Sequence, residues 1–123
     1  MDYSEITRRY FESAANAGEL QGPGVLRGAA GNRNQGIWVQ FDLRVREHVI
    51  EHARFLAFGC PHTIAICAWL TETAIGEPAI ANLPQSVQEL RDRFEVPVEK
   101  MGRLLMIEDA WLAAAVPAAR YEA

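Results

Sequence analysis

The chain has 123 residues, half of them hydrophobic and 23% charged, which is typical of a water-soluble globular protein with one domain, residues 1–123. No apolar run approaches the roughly 20 residues that cross a bilayer. The segment Met1–Glu5 lacks the basic and apolar regions of a signal peptide, so we expect a cytoplasmic protein with no membrane partner. The net charge of −4 and the scattered arginines argue against a nucleic-acid partner.

The first part of the sequence predicts one helix followed by a stretch dominated by loops. The helix is expected over Asp2–Asn16, with Ser4 as its N-cap. Residues 18–36 are rich in Gly, Asn and Ala and carry a strong turn signal near their end. Within this stretch we expect a short strand at Val25 and Leu26.

The clearest periodicity follows this loop-rich stretch. Apolar and polar residues alternate over positions 37–46, which predicts a strand with one buried face and one wet face. Glu47 and His48 connect it to a second strand, Val49–Phe58. The two strands therefore form a predicted antiparallel hairpin.

Three helices are expected in the C-terminal half. Pro61 suits the first turn of a helix that runs to about Ile75. A second helix is expected over Pro84–Phe94 and a third over Glu99–Ala115. Strands grouped ahead of a helical half predict an α+β fold, a small antiparallel sheet of about three strands with helices packed on one face.

Cys60 is the residue of greatest chemical interest. It lies at a predicted strand-to-helix junction, where free N–H groups and the helix dipole stabilise a thiolate, the form that binds iron, zinc and transferable sulfur. A small apolar residue buried at a helix start is the alternative. Cys67 lies about 10 Å further along the same helix, out of disulfide reach, and is predicted to be a core residue.

Few other side chains could extend a site at Cys60. His62 could share a metal with Cys60 or activate its thiol, although a surface or half-buried histidine beside a proline is the more ordinary interpretation. Glu108 and Asp109 could supply a carboxylate ligand, or they could form a polar helix face. The sequence alone leaves these alternatives open.

The sequence around Cys60 resembles the U-type iron–sulfur cluster scaffold family, which includes IscU and the N-terminal domain of NifU. The resemblance is carried by the run Ile50–Cys60, which ends in Gly-Cys, and by the Ala/Ile-rich helix that follows as far as Gly76. Two looser matches are Val96–Lys100, which is similar to the family's chaperone-recognised Leu-Pro-Pro-Val-Lys loop, and the acidic pair at Glu108 in the last helix.

This resemblance implies a scaffold that binds a [2Fe–2S] cluster, or zinc when isolated, through three cysteines and an Asp or His. Its implied partners are a cysteine desulfurase and a chaperone of the cluster assembly system. Cys60 matches one family cysteine, but the other two positions fall at Gln35-Gly36-Ile37 and at Gly102 or Arg103. Gln, Gly and Arg are poor donors for cluster iron. The chain therefore resembles a divergent member that lacks two of the three usual ligand cysteines.

Two main hypotheses follow from the resemblance. In the first, the protein is a non-enzymatic scaffold for iron–sulfur cluster assembly that binds iron or receives sulfur at Cys60, with His62 as a weak second metal ligand. In the second, the site is degenerate, no cofactor binds, and the fold serves as a protein-binding or regulatory module. A thiol enzyme that uses Cys60 with His62 is a third alternative. A homo-oligomer in which a second chain supplies ligands is left open.

Overall fold

The computed structural model describes residues 3–121. Within them the helices and strands are α1 (Glu5–Ser13), β1 (Leu26–Asn32), β2 (Ile37–Arg46), β3 (Val49–Phe58), α2 (Pro61–Ala74), α3 (Val87–Phe94) and α4 (Met101–Ala119). Short 3-10 turns precede β2 and α4. The predicted α+β fold with a three-stranded antiparallel sheet is confirmed.

The sheet has the order β1-β2-β3, with β2 in the centre. Helix α4 packs on β1 and β2, and α2 packs on β3. Helix α1 packs mainly against α2, and α3 packs against α4. The inward side chains of β2 are buried in this layer, as the alternation predicted: Val39, Phe41, Leu43 and Val45. Among residues 3–121, the helices fall short of the length and hydrophobicity that crossing a membrane requires.

The predicted wet face of β2 is wrong at two positions. Gln40 is buried and Asp42 is completely so. The segment that follows α1 runs beside β3 and reaches β2, where the Leu20 N–H donates to Asp42 Oδ2 at 2.9 Å. Because this covering segment lies some twenty residues earlier in the chain, the alternation within β2 could not indicate it.

The free edge of β3 is also covered by the segment after α1. The Gly18 N–H donates to the Phe55 carbonyl at 2.8 Å, and the Phe55 N–H donates to the Asn16 carbonyl at 3.0 Å. Pairing of this kind protects an edge strand from association with other chains. It also fixes the strand that leads directly to Cys60.

The loop-rich stretch does contain a strand near Val25 and Leu26, as predicted, but β1 begins at Leu26 and is seven residues long, so the prediction that the rest is loop is wrong over Arg27–Asn32. The central residues of β1, Gly-Ala-Ala-Gly, have little intrinsic preference for strands. They are small because α4 packs very closely on this strand, and a Cβ atom at Gly28 would lie 2.3 Å from the Ala114 nitrogen. Tertiary packing therefore overrides local propensity here.

The helix boundaries were predicted with mixed accuracy. Ser4 caps α1 as expected, since its Oγ accepts a hydrogen bond from the Thr7 N–H at 3.2 Å. The helix ends earlier than predicted, at Ser13, because Ala14 follows it with a left-handed φ of 37°. At the other end of the predicted range, Asp2 lies outside the described residues. Helix α2 matches its predicted range closely, whereas α3 begins later and α4 runs further than predicted.

Candidate functional site

Cys60 occupies the N-cap position of α2, two residues after the end of β3. Its backbone is extended (φ −78°, ψ 168°), and its carbonyl accepts a helical hydrogen bond from the Ile64 N–H at 3.2 Å. The Cys60 Sγ lies 3.6 Å from the Thr63 Oγ1. Because Cys60 is only half-buried, its thiol lies at the protein surface and at the positive end of a helix dipole.

The surroundings of Cys60 favour the thiolate. Partial burial raises the pKa of this thiol, but other effects outweigh it and the pKa is lowered. The Thr63 hydroxyl, 3.6 Å from the sulfur, and the nearby Thr63 backbone N–H stabilise the thiolate, and the positive charges of Lys100 and Arg103 add to this effect. The thiolate is the nucleophilic form of cysteine, so these neighbours favour its reactivity.

Gly59 allows Thr63 to sit beside the thiol. A Cβ atom at position 59 would lie 3.1 Å from the Thr63 Oγ1, closer than such atoms usually approach. A side chain there would press the threonine away from Cys60. The Gly-Cys pair is therefore explained by the space that the Thr63 hydroxyl occupies.

His62 is buried, with 3% of its surface exposed, so the ordinary interpretation of a surface or half-buried histidine is wrong. Its ring packs edge-on against Tyr3, with centroids 4.8 Å apart. Among residues 3–121, its Nδ1 has no hydrogen-bond partner. Burial lowers the pKa of His62, and Lys100 and Arg103 lower it further. The imidazole is therefore held neutral at neutral pH.

The two positions at which the resemblance implies further cysteines lie close together in the structure. Gln35 is exposed in the 3-10 turn before β2, and Gly36 follows it with a left-handed φ of 83°. The Arg103 Nη1 donates a hydrogen bond to the Gly36 carbonyl at 3.3 Å, which joins this turn to the start of α4. Gly102, beside Arg103, is exposed. A guanidinium group therefore connects the two places where the resemblance implies further ligands.

Neither a [2Fe–2S] cluster nor a zinc ion fits these residues on one chain. Both need several thiolate or imidazole donors, and structural zinc sites use four. Across residues 3–121, no three His, Cys, Asp or Glu side chains come together in a way that could hold a metal ion. The site instead offers one thiol, one buried imidazole and two positive charges, which would repel a cation.

The remaining predicted candidates lie elsewhere. Cys67 is completely buried in the core, as predicted, and burial raises the pKa of its thiol strongly. Glu108 is half-buried further along α4, outside the group formed around Cys60. The structure therefore brings Cys60 and His62 under the influence of the same two cations, and it leaves Cys67 and Glu108 apart from them.

Sequence reasoning missed two neighbours of the thiol. Thr63 follows the N-cap by three residues, the position whose backbone N–H faces the capping side chain, so helix-capping rules could have indicated it. Lys100 acts on Cys60 across forty residues of intervening chain. No spacing or periodicity in the sequence relates Lys100 to Cys60, and the two residues are brought near each other by the fold.

An apolar cavity lies away from Cys60. It has a volume of about 440 Å³ and is bordered by Trp69, Ala74, Ile80 and Trp111, near the C-terminal end of α2. Cys60 stands at the opposite end of that helix and is not among the residues that line the cavity. The thiol chemistry and the cavity are thus separate features of the protein.

Comparison with known proteins places this arrangement in a known class of fold. The crystal structure of the N-terminal part of a NifU-like protein from Brucella abortus superposes with a TM-score of 0.71 at 16% identity, covering 98% of this chain and 95% of that one. The fold is thus that of NifU-type N-terminal domains. A model of the family described as "NifU-like N terminal domain" matches residues 2–122, and the chain belongs to that family.

Curated relatives agree with the family assignment. The iron–sulfur cluster assembly scaffold protein IscU of Haemophilus influenzae is 28% identical over 117 residues, covering 93% of each chain. The iron–sulfur cluster assembly protein IscU of Plasmodium falciparum is 26% identical over 111 residues, covering 89% of this chain and 68% of the relative. The suspected resemblance to the IscU and NifU scaffolds is therefore confirmed.

Proposed function

We propose that this protein is a cytoplasmic, non-enzymatic homologue of the iron–sulfur cluster assembly scaffolds that receives sulfur on Cys60. The observation that carries the proposal is the setting of the Cys60 Sγ, 3.6 Å from the Thr63 Oγ1 at a helix N-terminus. The charges of Lys100 and Arg103 reach the same thiol. Membership of a family whose relatives are named as assembly scaffolds supports the same conclusion.

The sulfur is delivered in a single exchange step. The Cys60 thiolate attacks the terminal sulfur of a persulfide, R–S–SH, and a new S–S bond forms as the S–S bond of the donor breaks. The donor leaves as the thiolate R–S⁻, and the transferred sulfur keeps its proton, so Cys60 becomes a persulfide. This is the chemistry of thiol–disulfide exchange, and it needs no further oxidant or reductant.

The neighbours of Cys60 assist this step in two ways. The Thr63 hydroxyl and backbone N–H stabilise the attacking thiolate. Lys100 and Arg103 stabilise negative charge as it moves from Cys60 to the departing donor thiolate. Since the donor set does not fit a cluster, no step is assigned to one on this chain.

The resemblance also supports two partners. A cysteine desulfurase is the proposed donor, because it carries the persulfide that this step consumes. A chaperone is the second proposed partner, since Val96–Lys100 is similar to the family's recognised loop and Val98 is 74% exposed. Both proposals concern docking next to Cys60, because Lys100 belongs to the same segment and acts on that thiol.

Sulfur uptake is tested by exposing the purified protein to a small persulfide, glutathione persulfide, and measuring its intact mass. We expect one added sulfur atom in the wild type and in Cys67→Ala, and none in Cys60→Ser. A second experiment replaces the small persulfide with a cysteine desulfurase and cysteine. If the protein takes up sulfur from glutathione persulfide but not from the cysteine desulfurase, the Cys60 chemistry is supported and the proposed donor is contradicted.

The alternative, a binding module that does not use its thiol, makes a different prediction. It expects the same change in mass, with no sulfur added, for the wild type and Cys60→Ser after either treatment. Iron and acid-labile sulfide are measured on the same samples, purified without oxygen. A stoichiometric cluster lost in Cys60→Ser would contradict both the module and the sulfur-only proposal, and it would point to ligands from a second chain.

A further inference from the structure

Arg103 holds together two segments of the site that are far apart in the sequence. Its Nη1 reaches the Gly36 carbonyl at 3.3 Å, across 67 residues of chain. Its charge also reaches Cys60 and His62 at the start of α2. The guanidinium thus lies beside the turn before β2. The start of α4 also lies near the start of α2, because the Tyr3 ring contacts the His62 ring at 4.8 Å between centroids and has the Lys100 Nζ 5.7 Å from its centroid.

We infer that Arg103 is the specificity-determining residue of the Cys60 site, and that it favours the anionic thiolates of the sulfur exchange and excludes metal ions. The inference rests on the proposed sulfur uptake for its first half. Its second half, the exclusion of metal, rests on the guanidinium held at Gly36 and on the contacts through Tyr3 that bring the start of α4 to the start of α2.

A single positive charge has opposite effects on the two kinds of ligand. It stabilises the attacking thiolate of Cys60 and the departing thiolate of the donor, and it repels a divalent cation at the same place. Arginine remains protonated throughout the pH range of proteins, so it cannot become a metal ligand as histidine or lysine can. The exclusion is therefore expected at every pH at which the protein is folded.

The hydrogen bond to Gly36 gives this charge a fixed position. A free arginine side chain could turn towards solvent and leave the thiol to a metal ion. Arg103 is half-buried and donates to a backbone carbonyl, which holds its head group beside the turn. That carbonyl belongs to Gly36, whose left-handed backbone directs it, so the turn and the arginine act together.

Two substitutions test the charge of Arg103, and each keeps a hydrogen-bond donor. Arg103→Gln keeps a donor for the Gly36 carbonyl and removes the charge, while Arg103→Lys keeps the charge. The sulfur readout is the initial rate of mass gain from glutathione persulfide. We expect Arg103→Gln to slow it by about tenfold and Arg103→Lys to stay near the wild-type rate.

The metal readout uses Zn²⁺ alone, titrated against a coloured chelator. Gln35→Cys supplies a second thiol next to Gly36, and Gln35 is exposed, so the fold should accept it. We expect Gln35→Cys with Arg103→Gln to bind zinc about tenfold more tightly than Gln35→Cys alone or with Arg103→Lys. Circular dichroism on each variant confirms that the compared proteins are folded.

The outcomes distinguish this inference from the proposed function. If the wild type takes up no sulfur, the proposed function fails while the zinc comparison still decides whether Arg103 excludes metal. Equal zinc affinity with and without Arg103→Gln would overturn metal exclusion. An unchanged sulfur rate in Arg103→Gln, in a protein whose wild type does take up sulfur, would overturn the stabilisation of the exchanging thiolates.

Discussion

Asp42 and Arg27 form a two-point ion pair across neighbouring strands, with the Arg27 Nε 2.8 Å from Asp42 Oδ1 and the Arg27 Nη2 2.9 Å from Asp42 Oδ2. The aspartate side chain is completely buried, whereas the arginine side chain is 46% exposed. The pair therefore brings one charge into the protein and leaves its partner at the surface.

Asp42→Asn should lower the free energy of unfolding by about 1–3 kcal/mol, because a charge-assisted pair and the acceptor for the Leu20 N–H are both weakened. Urea denaturation measures this difference. The control is Asp92→Asn in the exposed pair with Arg91, where a change below about 1 kcal/mol is expected. Equal effects at the two sites would show that Asp42 does not anchor the segment after α1.

Close packing of α4 on β1 makes a second prediction about stability. Gly28→Ala should destabilise the protein by about 3 kcal/mol or more, since the added methyl group overlaps the backbone of Ala113 and Ala114. Gly102→Ala is the matched control, because a Cβ there meets no described atom within 4 Å. In a helix, that substitution should stabilise by up to about 1 kcal/mol. Thermal unfolding of both variants tests the contrast, and a neutral Gly28→Ala would contradict the packing.

The reactivity of Cys60 should depend on pH in a defined direction. The pKa of this thiol lies below its ordinary value of 9.0, despite partial burial, because Thr63, Lys100 and Arg103 stabilise the thiolate. The rate of alkylation by iodoacetamide should therefore rise with pH and reach half its maximum below pH 9.0. Lys100→Gln should move this midpoint upward, and Lys100→Arg should leave it in place. A wild-type midpoint at or above 9.0 would contradict the described electrostatics.

Buried His62 should make the fold sensitive to acid. Its pKa is lowered in the folded protein by burial and by Lys100 and Arg103, so the unfolded chain binds the proton more readily. The contribution of neutral His62 to the free energy of unfolding is complete at pH values above 6.5, the ordinary pKa of histidine. It is lost as the pH falls below 6.5 towards the lowered pKa of His62 in the folded protein.

His62→Leu should reduce this loss of stability in acid, and urea midpoints at about pH 7.5 and about pH 5 measure it. The same substitution at exposed His52 serves as the control, and it should leave the difference between the two pH values unchanged. If the urea midpoints of His62→Leu at these two pH values differ as much as those of the wild type, groups other than His62 cause the acid sensitivity.

The elements that the sequence predicted well are those whose pattern is local. The alternation in β2 and the Gly-Cys-Pro junction before α2 each lie within a dozen residues, and the structure places both where they were expected. Cys67 was also predicted to be buried from its place on an apolar helix stripe. In these cases, periodicity and capping chemistry were sufficient.

The features that escaped prediction depend on contacts between distant segments. The strand β1 exists because α4 lies on its small residues, and Asp42 is buried because the segment after α1 covers it. Likewise, the family resemblance assigned a lost ligand to Gly102 or Arg103, but the bond of Arg103 to Gly36 depends on the packed fold. Propensity and spacing contain no information of this kind.

The isolation of the two cysteines has a consequence for the fate of any sulfur bound to Cys60. The chain contains two cysteines, and Cys67 is completely buried on the same helix, seven residues beyond Cys60. Cys67 is therefore unable to serve as an internal resolving thiol. A persulfide on Cys60 is therefore discharged by a thiol or reductant from another molecule, and any disulfide at Cys60 forms with a thiol of another molecule, which includes a second copy of the chain. The lifetime of the sulfur-loaded protein is thus set by the molecules that meet it.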